Sequence, residues 1–233
     1  KSEEIKSSWQ LNKLDCENIW KDHFGNNNAP GENTIVAVID TGVDYTHSEL
    51  KESIWINEGE IPGNDIDDDA NGYIDDVYGI DLVDNDGDPM DEHGHGTHVA
   101  GIIAMSPNEH GGVGIAYGSK IMSIRAGQSN GDFASSDIAK AINYATANGV
   151  DVINMSFGGT GKSLLVEKAI NNAFNANIVV VASAGNDGKS ISELENYPAG
   201  YNNVIGVMSA DKDGKISSFS NWDDETTKGC EYE

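Results

Sequence analysis

The feature that most restricts the fold is an alternation: short apolar, β-branched runs take turns with helix-length amphipathic stretches along the chain. TIVAVID (34–40) reads as a buried strand, HVAGIIAM (98–105) as a helix and KIMSIRA (120–126) as a strand. SSDIAKAINYATANG (135–149) follows, with Ile138, Ala141, Ile142 and Ala145 on one helical face and Gly149 placed to end it. VDVINMS (150–156) is the next strand, LLVEKAINNAFNAN (164–177) the next helix, and NIVVVASAG (177–185) and NVIGVMSA (203–210) are strands. Apolar strands separated by helices predict the α/β class, a three-layer fold with a mostly parallel sheet and helices on both faces. No Pro/Ser-rich linker or charge block divides the 233 residues, so one domain over 1–233 is expected.

In parallel sheets chemistry collects at the carboxyl ends of strands. Those positions hold Asp40, Ser156 and Asn186, and a histidine, His95, stands at a glycine-flanked helix start between Gly94 and Gly96. A carboxylate, an imidazole and a side-chain amide so placed are the parts of nucleophilic acyl transfer. The carboxylate fixes the imidazole tautomer, the imidazole takes the nucleophile's proton, and the amide N–H donates to the oxyanion. His93 and His98 lie close by. A zinc site on His95 and His98 is the alternative, but no Cys or HExxH partner set accompanies them.

VAVIDTGVDYTHSEL (36–50), HGTHVAGIIA (95–104), VINMSFGG (152–159) and VVVASAGNDG (179–188) resemble, in order and spacing, the catalytic blocks of the subtilisin-like serine proteases, the subtilases. The resemblance runs from Trp9 to about Asn221. It implies a serine endopeptidase in which Asp40 is the triad aspartate, His95 the triad histidine and Asn186 the oxyanion-hole side chain. His98 then reads as a structural, hydrogen-bonded core residue and His93 as exposed. Ser156, Phe157, Gly158 and Gly159 resemble the strand edge that lines the pocket for the residue before the scissile bond. Gly131, Asp132 and Phe133 resemble the other edge strand, so an extended peptide or protein substrate would add between them.

Fourteen Lys and Arg against 39 Asp and Glu leave a charge of −25, which repels nucleic acid and anionic membranes and attracts hard divalent cations. The longest apolar runs are far too short to span a bilayer. NDIDDDANGYIDD (64–76) sets Asp67, Asp69 and Asn71 on alternate residues before Gly72, like the first half of an EF-hand loop. The twelfth position is Tyr78 rather than Glu, so Asp75 or Asp76 and the Tyr73 carbonyl would complete a calcium shell. The competing reading is a solvated acidic loop. VDNDGDPMDE (83–92) is a second acidic turn leading to His95, where a cation would order the histidine's loop. The resemblance implies a further calcium site from Glu49, Asn108 and the carbonyls of His110 and Gly112, with Glu49 standing where relatives carry Asp.

One departure is decisive. Subtilases carry the nucleophile in a Gly-Thr-Ser-Met-Ala segment, and none occurs in these residues. The expectation is a catalytic domain incomplete at its C-terminus, inactive without the remainder of the same protein. A catalytically dead, peptide-binding homologue and a calcium-binding structural module are the alternatives. A propeptide is implied by the family, and a secreted location by the family together with the calcium loops, whose affinity suits millimolar calcium outside the cell. Cys16 and Cys230 fit one disulfide or two free thiols equally well.

Overall fold

The computed structural model describes residues 8–25, 28–107 and 112–223. Cys230 and Asn108 lie outside them, so the disulfide question and part of the second calcium set fall outside the described residues. The chain divides into two compact units, Lys1–Asp132 and Phe133–Glu233.

The first unit opens with two short helices, α1 (Trp9–Lys13) and α2 (Cys16–Ile19). It then supplies β1 (Ile35–Asp40), β2 (Gly79–Asp81), α3 (His95–Ala104) and β3 (Lys120–Arg125). The strands are parallel in the order β2–β3–β1, with Ile35 opposite Lys120 and Asp40 opposite Arg125. Ala37, Val38 and Ile39 of β1 and Ile121, Met122 and Ile124 of β3 are fully buried. Burial of successive residues means that both faces are covered, which is why the interiors of these runs are apolar apart from Ser123. Each large aliphatic side chain so buried contributes about 1.5–3 kcal/mol.

The second unit contains α4 (Ser135–Ala147), β4 (Val152–Met155), α5 (Leu164–Asn175), β5 (Val179–Ser183) and β6 (Ile205–Val207). Its strands are parallel in the order β4–β5–β6. The helices pack on each other, burying Ala141, Ile142 and Ala145 of α4 and Ile170 and Ala173 of α5. Both end in the same left-handed device. Gly149 (φ 68°) donates to Thr146 O and Val150 to Ala145 O, while Asn177 (φ 62°) donates to Phe174 O and Ile178 to Ala173 O.

Parallel strands alternating with helices are the predicted α/β class, and all eight anticipated elements differ from the observed ones by no more than three residues at either end. The 203–210 run is a strand only over Ile205–Val207, because Ala210 and Ile216 bridge and the chain turns through Asp211–Gly214. Strand β2 and the N-terminal helices were not anticipated.

Candidate active site

Asp40 is the last residue of β1 and fully buried; His95 is the first residue of α3, with its side chain 45% exposed. His95 Nδ1 lies 2.7 Å from Asp40 Oδ1. The same oxygen accepts the Thr41 backbone N–H at 2.8 Å, and Asp40 Oδ2 is buried with no hydrogen-bond partner among the described residues. A buried carboxylate on Nδ1 selects the tautomer with a proton there and leaves Nε2 as the accepting nitrogen. Such an imidazole can take a proton from an incoming hydroxyl.

The helix start is built for close approach. Gly94, the cap residue, has φ 96°, and a Cβ on Gly96 would collide with the Gly42 carbonyl oxygen. The cap residue makes no side-chain hydrogen bond. Thr41 Oγ1 and Asp91 Oδ2 instead accept the orphan N–H groups of Gly96 (3.1 Å) and Thr97 (2.9 Å).

The loop before His95 carries its own cation. Arg125, the last residue of β3 and nearly buried, pairs with Asp81 at 2.6 Å, Asp84 at 2.8 Å and Glu92 at 3.0 Å. The ordering charge anticipated for the 83–92 turn is thus supplied by a side chain. His98 corrects an expectation: it is exposed, on the rim of an open groove with Leu50, Ile102 and Met105, because α3 turns that face away from β1. His93 is exposed as expected, with its ring 6.3 Å from that of His95.

In the second unit, Asn186 is exposed on the turn that follows β5. Fully buried Asn221 shapes that turn. Its Nδ2 donates to Ala184 O at 3.0 Å, its backbone N–H to Gly185 O at 3.0 Å, and its Oδ1 accepts the N–H groups of Asp187 and Lys189. The Ser156–Gly159 segment is held by Asn154 Nδ2 donating to Ser156 Oγ, by Ser183 Oγ donating to Phe157 O, and by paired bonds between Gly159 and Tyr197. Phe157 stacks on Phe133 at 3.9 Å. Gly131 and Asp132 belong to a turn closed by Gln128 N–H donating to Asp132 O, not to a regular strand.

Of the acidic-loop carboxylates named from spacing, Asp67 and Asp69 come together, joined by Glu60, which was not anticipated. Oxygens of Glu60, Asp67 and Asp69 come within 4.8 Å of one another. Glu60 is buried and its two oxygens accept the N–H groups of Asp68, Asp69 and Asp75. Asp75 faces away, accepting N–H groups from Gly63, Asn64 and Asp65, whereas fully buried Asp76 shares the Asn57 and Asn71 amides with Asp69. Asn71 Oδ1 accepts the Tyr73 N–H. Elsewhere, Glu49 Oε2 is buried without a partner among the described residues. No local pattern marks Glu60, Asp91, Arg125 or Asn221; Arg125 stands out only as a charge ending an apolar run.

Residues 31–229 match the sequence model of the Subtilase family. A thermophilic serine proteinase of Bacillus sp. (strain AK1) is 43% identical over 188 residues, covering 80% of this chain and 41% of that protein. Thermitase of Thermoactinomyces vulgaris is 36% identical over 195 residues, 83% of this chain and 61% of its own. The major intracellular serine protease of Bacillus subtilis (strain 168) is 37% identical over 194 residues, 82% and 55% respectively. The chain therefore spans about half the length of the curated relatives it matches.

Proposed function

Because this chain belongs to the subtilase family, we propose that it carries the acid, the base and the oxyanion donor of a serine endopeptidase. Asp40 holds and stabilises the His95 imidazole. His95 Nε2 takes the proton of the serine hydroxyl as it attacks the scissile carbonyl, and returns that proton to the leaving amine. The Asn186 side-chain N–H donates to the developing oxyanion. The observation that carries this reading is the 2.7 Å contact from a fully buried carboxylate to an imidazole whose other nitrogen is open.

A peptide substrate adds in extended form along Ser156, Phe157, Gly158 and Gly159, with Gly131, Asp132 and Phe133 as the other proposed binding segment; the stacked Phe133 and Phe157 rings supply apolar surface. No Gly-Thr-Ser-Met-Ala segment occurs in these 233 residues, so the reading places the nucleophile on none of their serines and this chain alone is expected to leave peptides intact. A propeptide and export from the cell accompany the reading, and detection of the protein in the medium against the cell lysate tests the latter. Among the described residues no helix is long and apolar enough to cross a membrane.

Calcium fits the 57–76 loop: eight carboxylates and no basic side chain fall there, and three of them converge. Glu60, Asp67 and Asp69 form the centre of the proposed set, with Asn71, the Tyr73 carbonyl and Asp76 around it. Glu49, with its orphaned oxygen, and Asn108 form the second proposed set. Calcium there supplies a divalent charge that fixes the loops and takes no part in hydrolysis.

The test uses the protein isolated from its natural source, with fluorophosphonate labelling and peptide hydrolysis. Labelling on one serine, an Asp40→Asn loss in kcat of about 10⁴-fold and an Asn186→Ala loss of about 10²–10³-fold are expected. A native protein that binds peptide but neither labels nor cleaves would instead establish a catalytically dead, peptide-binding homologue.

A further inference from the structure

We propose that Asp91 is a positioning residue: its carboxylate locks the peptide beside Asp40 to the peptide beside His95, and so sets the contact between the two. The inference rests on the reading of Asp40 and His95 as the acid and base.

Five donors converge on this one side chain. His93 N–H and Gly94 N–H reach Oδ1 at 2.9 Å each, and Thr97 N–H and Thr97 Oγ1 reach Oδ2 at 2.9 and 2.6 Å. The fifth comes from 50 residues away, Thr41 Oγ1 donating to Oδ1 at 2.9 Å. Thr41 is the hinge of the arrangement: its N–H bonds Asp40 Oδ1 and its hydroxyl accepts the N–H of Gly96, the neighbour of His95. A second strap runs parallel, since Thr97 Oγ1 accepts the Asp44 N–H at 2.9 Å. Burial pushes the Asp91 carboxyl up, but the bonds from Thr97, Gly94 and His93 outweigh that and hold it below its ordinary value, so it stays ionised and able to accept all five.

Of the five bonds only the one from Thr97 N–H satisfies an orphan donor of the helix, and the bond from Thr41 Oγ1 to Asp91 satisfies none. That bond is what ties the end of β1 to the start of α3. A 2.7 Å contact between groups on two separate elements demands that their backbones be fixed to a fraction of an ångström.

The experiment follows the His95 Nδ1 proton by proton NMR on the 233-residue chain, which needs no nucleophile. Wild type should show one far-downfield proton that disappears in His95→Gln and Asp40→Asn. Thr41→Val, which keeps the four Asp91 bonds from residues 93, 94 and 97 but also removes the acceptor of the Gly96 N–H, should lose or broaden it, with a lower thermal transition and the circular dichroism of a folded chain. Thr41→Ser, which keeps the hydroxyl, should restore it. Asp91→Asn should lose it as well, and if that variant does not fold the Thr41 pair carries the result. A wild-type signal that survives in Thr41→Val overturns the positioning role alone. No Asp40-dependent signal in wild type overturns both the positioning role and the acid–base reading.

Discussion

Two acidic stretches of the first unit, 57–76 and 81–92, solve the same problem differently. They face one cleft, lined by Tyr73 and Asp75 from the first and Asp86 and Asp88 from the second, together with Tyr45 and Tyr78. The first has eight carboxylates and no basic residue; its oxygens are met by backbone N–H groups and by the amides of Asn57, Asn64 and Asn71. Dipoles of that kind orient carboxylates but leave their charge uncancelled. The second stretch has six carboxylates and borrows Arg125 from β3, with hydroxyls of Thr41, Thr97 and Tyr45 for the rest. One loop thus invites an external cation, and the other has built in its own beside His95.

The largest effect is expected at Arg125. Arg125→Met leaves Asp81, which is 2% exposed, as a buried charge without its partner, a loss of about 3–5 kcal/mol in urea unfolding. Adding Asp81→Asn should recover part of it, since the two side chains touch. A loss under about 1 kcal/mol would mean that Arg125 is not the internal cation.

Calcium sharpens the contrast from the other side. At a calcium concentration 100 times the dissociation constant, the chain should gain about 2.7 kcal/mol. Asp67→Ala with Asp69→Ala should abolish the gain, and Arg125→Met should preserve it. If the double variant still responds fully, the bound ion lies elsewhere.

The smallest effect is at Tyr45, which stacks on Tyr78 at 4.3 Å and donates to Asp88 at 2.9 Å. Burial first, then the Asp88 carboxylate, pushes its hydroxyl up to about 12 from 10. Raised in the folded state, this group contributes stability that is fully present below pH 10 and lost as pH climbs to about 12. Tyr45→Phe should cost about 0.5–1 kcal/mol at neutral pH, the value of a solvent-facing hydrogen bond. It should also flatten the fall in stability between pH 10 and 12, read from denaturant midpoints.

Much of the scaffold was legible because it depends on local pattern. The runs at 34–40, 120–126 and 177–185 read as strands from burial on short sequence scales, and Gly149 marked the end of α4. The helix at 98–105 begins three residues earlier than its apolar pattern, at His95, because Thr41 and Asp91 satisfy its first N–H groups from outside the segment. Strand β2 escaped notice as three residues inside an acidic run, recruited by pairing with β3.

The site divides the same way. Sequence alone determined which residue types stand at the ends of strands and at the helix start, and so singled out Asp40, His95 and Asn186 together with the acid-rich loop. Tertiary structure decided the partnerships: Glu60 with Asp67 and Asp69, Arg125 with Asp81, Asp84 and Glu92, Asn221 with the turn at Asn186, and Asp91 with Thr41. It also turned His98 outward. The physical reason is range. Periodicity and capping act over a few residues along the chain, whereas a buried charge finds its counter-charge only after strands distant in sequence have paired and brought the two within hydrogen-bond reach.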